Sequence, residues 1–140
     1  MNFLKTLLAS VAFIAAASSA HADVKELGTL TDTFDEVKTL GANTTFNDFY
    51  NFVLTGTGAE FSASKLVLTN KAGDRYNFSS LTFSVFSGIY GDAVADVELY
   101  STAVGVAQED FTLTNLTAGN FYVKVAGVTS GASGGTYSFS

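Results

Sequence analysis

The sequence predicts an all-β protein: a single antiparallel β-sandwich, jelly-roll-like, behind an N-terminal signal helix. Three observations lead there. Beyond residue 22 no stretch holds apolar residues at helical spacing. Short alternating runs recur instead, with Gly, Asn and Ser at the joints. The heaviest run, Phe46 to Leu54 (FNDFYNFVL), puts Phe46, Tyr50, Phe52 and Leu54 on one strand face with Asp48 among them. A row of that weight belongs at the centre of a core.

The elements follow in order. Lys5, an apolar run from Leu7 to Ala17 and the Ala20-x-Ala22 signal read as a secretory signal peptide over residues 1–22. The remaining 118 residues, 23–140, are expected to form one sandwich domain without an internal repeat or linker. Val24 to Leu30 and Thr31 to Leu40 have moderate strand character, with Gly28 as a bulge or break. Gly41 to Thr45 (GANTT) is a turn into the Phe46 strand, and Gly56 to Gly58 ends that strand. Ala59 to Ser64 is anchored by Phe61. Lys65 to Thr69 and Arg75 to Ser79 are the arms of a hairpin over Asn70 to Asp74, with Gly73 available for positive φ.

In the second half, Leu81, Phe83 and Val85 alternate inward, as do Ala95, Val97 and Leu99. Ser101 to Val106 and Thr114 to Gly119 are turns around a strand that sends Phe111 and Leu113 inward. Asn120 to Gly127 points Phe121, Val123 and Val125 in, and Tyr122 and Lys124 out. As a long strand it is a candidate edge for pairing with another copy. A Gly/Ser-rich loop precedes the last strand, where Tyr137 and Phe139 face the core.

Composition narrows function mostly by exclusion. Removing Lys5 with the signal leaves six basic residues against thirteen acidic, a net charge of −7. Nucleic acids and anionic membrane surfaces need clustered Lys or Arg, so neither is expected as a partner. No transmembrane segment is expected in the mature chain. The sole histidine, His21, leaves with the signal, and the sequence has no Cys or Pro. Without His or Cys there is no Ser-His-Asp triad, no thiolate nucleophile, no His/Cys metal site and no disulfide. Carboxylates, hydroxyls, a few lysines and one arginine are the chemistry left.

Two stretches carry a resemblance to known families. FNDFYNF, after LGTL at Leu27 to Leu30, resembles the F-x-D-x-F signature of a subgroup of PEP-CTERM secreted bacterial proteins. Phe46 and Asp48 match, Tyr50 stands for the second Phe, and Phe52 continues the row. LTNLTAGNFYVKVAG, Leu113 to Gly127, is similar to the penultimate hairpin of the bacterial pre-peptidase C-terminal domain, with Phe121 at the first aromatic position and GGTYSFS as the last strand. The Pro-Glu-Pro motif, apolar segment and basic tail that an exosortase reads have no counterpart up to Ser140, so membrane-linked sorting is not carried over. The resemblance implies an exported bacterial protein of the cell surface or extracellular matrix.

The candidate site residues are carboxylates and aromatics. Asp48 on an apolar face needs donors; the expectation is backbone N–H groups of an adjacent turn such as GANTT, with a calcium ligand and then a catalytic role as the alternatives. Asp92, Asp96 and Glu98, near Glu109 and Asp110 in sequence, are metal (calcium) candidates or a solvated acidic edge. Tyr90, Tyr100 and Tyr122 are candidates for stacking on sugar rings. The N-x-S/T asparagines Asn43, Asn77 and Asn115 read as turn residues. The expected function is an exported, non-enzymatic sandwich acting through its surface or strand edges, with no required cofactor, toward extracellular polysaccharide or other surface proteins. A calcium- or carbohydrate-binding module is the alternative, and a hydrolase using Asp96 and Glu98 is the enzymatic one.

Overall fold

A computed structural model describes residues 21–31, 33–105, 108–114 and 116–140. The signal segment up to residue 20, and Asn115, lie outside the described residues. The strands are β1 (His21–Leu30), β2 (Glu36–Leu40), β3 (Thr45–Leu54), β4 (Ala59–Lys65), β5 (Leu68–Asn70), β6 (Gly73–Tyr76), β7 (Phe78–Ser87), β8 (Val97–Ala103), β9 (Gln108–Leu113), β10 (Gly119–Thr129) and β11 (Gly135–Phe139). They form a five-stranded sheet, order β1-β3-β10-β7-β8, and a four-stranded sheet, order β2-β11-β4-β9, with β5-β6 as a separate hairpin. No helix occurs among the described residues. The expected β-sandwich is what the chain adopts.

One pairing departs from the antiparallel expectation: β1 runs parallel to β3. A parallel pair needs a crossover connection. Here the chain leaves β1, makes β2 in the opposite sheet and returns as β3. β1 therefore lies beside β3, and β2 lies in the other layer. Gly28 takes φ +74 where the β1–β3 register shifts, as a bulge requires.

The core follows the period-2 pattern. Phe46, Tyr50 and Phe52 of β3, Leu81, Phe83 and Val85 of β7, and Phe121, Val123 and Val125 of β10 are buried from one sheet. Phe61 and Ala63 of β4 and Tyr137 and Phe139 of β11 meet them from the other. Phe83 touches both Phe111 and Phe139, with centroids 5.4 Å away in each case. Each such ring contributes about 1.5–3 kcal/mol of burial. β3 sits between β1 and β10, so both of its edges are paired.

Three local expectations are corrected. Asn120 to Gly127 is not an edge, because β10 pairs with β3 on one side and β7 on the other. Ala95, Val97 and Leu99 do not point into the core: all three are exposed. A register shift between Val85 and Phe86 pairs Val85 with Tyr100 and Phe86 with Glu98, leaving Leu99 as the extra residue, and Tyr100 takes the core-facing place. The hairpin loop is Lys71 and Ala72 alone, with Gly73 at φ +113.

Candidate functional site

A buried polar cluster crosses the sandwich at one side. Alternation and register assemble it. Asp48 and Tyr50 share the inner face of β3; Asp23 and Lys25 are their register partners on β1. Lys38 of β2 is the register partner of Tyr137 on β11 in the facing sheet. Asp48 is 0% exposed. Its Oδ2 accepts a hydrogen bond of 2.6 Å from the Tyr137 hydroxyl, and Tyr137 and Tyr50 hydroxyls are 2.6 Å apart. Oδ1 makes no hydrogen bond; Lys38 Nζ, 2.9 Å away, pairs with it as a charge. Lys38 also donates to Asp23 Oδ2 at 3.0 Å, and Lys25 to Glu36 at 2.6 Å, so the β1/β2 seam is closed by charge.

Asp48 is thus held by side chains and not by the GANTT turn. That turn has its own partner: Thr129, 1% exposed, donates from Oγ1 to Gly41 O and accepts from Thr44 N. Asn43 occupies the left-handed position of the turn at φ 53. His21 Nδ1 lies 3.5 Å from Asp48 Oδ1, and the expected cleavage after Ala22 would remove it. Lys38 and Tyr137 then remain as the partners of Asp48.

The titrations follow from the geometry. Burial pushes the Tyr137 hydroxyl far above the usual phenol range, reinforced by its bond to Asp48. Burial also raises Tyr50. Burial alone would lower Lys38, but its pairing with the carboxylates of Asp48 and Asp23 outweighs it and raises the amine. The bond from Lys38 lowers Asp23. Lys38, Tyr50 and Tyr137 all hold their protons more tightly folded than unfolded. Their contribution is therefore whole below about pH 10 and is lost as pH rises through the folded values. Melting temperature should fall steeply above that point. Tyrosinate absorbance should show Tyr50, Tyr122 and Tyr137 ionising only as the fold opens.

A second cluster covers the outer face of the larger sheet. Residues 88–96 fold over it, and the Tyr90 ring stacks on Phe49 with centroids 3.5 Å apart. Asn51 clamps that segment: its Oδ1 accepts from Tyr90 N at 2.9 Å, and its Nδ2 donates to Glu26 at 2.6 Å. Tyr122 stacks on Phe86 and donates to Asp96 Oδ2 at 3.0 Å. Burial and that bond raise the Tyr122 hydroxyl. Of the sugar-stacking candidates, Tyr122 is buried and Tyr100 is stacked on Phe111 at 4.0 Å; only Tyr90 is exposed, and one ring face lies on Phe49.

The acidic candidates do not converge. Asp92 Oδ1 caps Val94 N at 2.9 Å, Asp96 takes the Tyr122 hydroxyl, and Glu98 pairs in register with Phe86. Among the described residues no group of three acidic, His or Cys side chains is placed to hold a metal ion. Glu109 and Asp110 lie on β9 in the other sheet, where Asp110 accepts from Gln108. Asn77 is a turn residue, its Oδ1 accepting from Phe78 N. A cleft of about 1190 Å³ opens between the sheets at the ends of β1, β3 and β9. Leu27, Leu30, Phe34, Leu54, Phe111 and Leu113 form its walls, and among the described residues no basic side chain lines it.

No family model and no curated protein matches this chain. A solved structure does. It is PliG of Aeromonas hydrophila, a periplasmic lysozyme inhibitor of g-type lysozyme, with 10% identity over 85% of this chain and 97% of that one, at a TM-score of 0.44. At that identity and score the likeness says nothing about activity.

Asn51, Lys38 and Tyr137 were missed as site residues by sequence reasoning. The usable signal for Asn51 was its position on the strongest strand; for Lys38 and Tyr137 no local signal existed, because their partner lies in the other sheet.

Proposed function

We propose that this is an exported, non-enzymatic β-sandwich protein of the cell surface or extracellular matrix, acting through its faces and strand edges. The observation that carries the reading is the closed state of the interior cluster. Tyr50, Tyr137 and Asp48 are hydrogen-bonded in a chain across the two sheets and Lys38 pairs with the carboxylate as a charge, which is the arrangement of a clamp and not of a reactive site. The signal pattern at residues 1–22 and the F-x-D-x-F resemblance support export, and in this reading the Asp48 of that motif is its structural tie. What is left for function is the surface, where extracellular polysaccharide or other surface proteins are the partners.

Fractionation of the producing cells tests this. The protein should accumulate outside the cytoplasm with Asp23 as its N-terminal residue. A cytoplasmic product that retains residues 1–22 would contradict it.

A further inference from the structure

The exposed apolar surface of this protein is concentrated in two places of opposite charge. Among the described residues, eight of the ten exposed large apolar side chains fall in them: Leu66, Val67 and Leu68 at the β5–β6 hairpin, and Ile89, Tyr90, Val94, Val97 and Leu99 at the β8 margin. Lys65, Lys71 and Arg75 flank the first group against one acid, Asp74, which leaves this place net basic. Asp92, Asp96 and Glu98 flank the second, and no Lys or Arg occurs between Tyr76 and Val123.

Both places also carry open backbone. Among the described residues β5 pairs only with β6, and β8 only with β7. Charge normally blunts a free edge. The margins at β1 and β2 are blunted by the Lys25–Glu36 and Lys38–Asp23 bridges, and β9 carries Glu109 and Asp110. β8 has Glu98 alone; the bulge at Leu99 turns an apolar side chain outward and leaves Tyr100–Ala103 as regular edge.

The two places lie at opposite ends of one strand. The hairpin feeds into β7 at Phe78, and the acidic margin leaves it at Ser87, the far end of a ten-residue strand, about 30 Å of extended chain. One molecule therefore presents complementary surfaces at its two ends.

We infer that this protein assembles head to tail with copies of itself, the basic apolar hairpin of one molecule docking on the acidic apolar margin of the next. The occupant is a second copy because the chain itself supplies both halves of the match: apolar against apolar, cation against carboxylate, open edge against open edge. Such a contact is heterologous, so it propagates to rings or filaments and does not stop at a symmetric dimer. This deepens the surface reading proposed above and rests on it, and it gives that surface a partner.

Sedimentation velocity of the purified protein tests it, whichever compartment the protein comes from. At about 0.01 M salt, where screening is weak, mean mass should rise with concentration; at about 1 M it should return toward the monomer. Lys71→Glu/Arg75→Glu and Val94→Lys/Glu98→Lys should each raise the concentration for half-association by about tenfold or more. A mixture of the two variants should associate again, since each restores the other's complement. Circular dichroism checks that both variants are folded. A monomer at every concentration in low salt overturns the proposal. So does a dimer that the hairpin variant leaves unchanged, since that is symmetric β8 pairing. Neither result bears on export, which the fractionation decides.

Discussion

Asp48→Ala is expected to lower the free energy of unfolding by about 3 kcal/mol, read from urea denaturation at neutral pH. The variant strips the Tyr137 hydroxyl of its acceptor and leaves Lys38 facing an empty interior. Breaking a buried ion pair from one side typically costs about 3–5 kcal/mol. Relief is available here, because the Lys38 side chain is 18% exposed and can turn toward Asp23 alone. The two tyrosine hydroxyls can also still bond each other. Hence the lower end of that range. Against a total of about 5–15 kcal/mol for a domain, the loss is large.

Gly134→Ala is expected to cost as much or more, about 4 kcal/mol, for a different reason. Gly134 adopts φ +107, a region that disfavours any side chain. A β-carbon there would also run into the carbonyl oxygen of Leu40, which is backbone and cannot swing aside. The loop cannot retreat, because Ala132 N and Ser133 N bond the carbonyls of Asp74 and Arg75, and Gly134 O accepts from Asn77 N. Gly56→Ala is the control: nothing lies within 4 Å of its added carbon, and its φ is ordinary. That variant should stay within about 0.5 kcal/mol of wild type in the same urea titration.

How far sequence could reach is visible at β3. The row Phe46, Asp48, Tyr50, Phe52 was legible, because period-2 alternation is a local property and all four side chains are buried. The partners of Asp48 were not. Lys38 is ten residues away and Tyr137 nearly ninety, and both come from the opposing sheet, so only the packing of the two layers brings them to the carboxylate. The turn was a reasonable local donor, yet Thr129 reaches it first from β10.

The other misses share that cause. Whether β10 is an edge depends on strand order, which couples β3, β7 and β10 across the whole chain. At β8 the bulge puts Tyr100 and not Leu99 in the inward place, while Ala95 lies before the strand and Val97 at its exposed first position. Phe49 and Tyr122 alternate outward as expected, and are buried only because residues 88–96 fold back over them. The acidic candidates Asp92, Asp96 and Glu98 were adjacent in sequence, but their side chains are committed in different directions.

The clamp between the sheets is tested most directly by a double-mutant cycle on Asp48 and Tyr137. Asp48→Ala, Tyr137→Phe and the double variant are unfolded in urea at neutral pH. Side chains bonded at 2.6 Å in a buried setting should show a coupling energy of about 1–2 kcal/mol, the double variant losing less than the sum of the singles. Losses that add to within about 0.5 kcal/mol would show that the two groups do not act together, and the clamp would be contradicted.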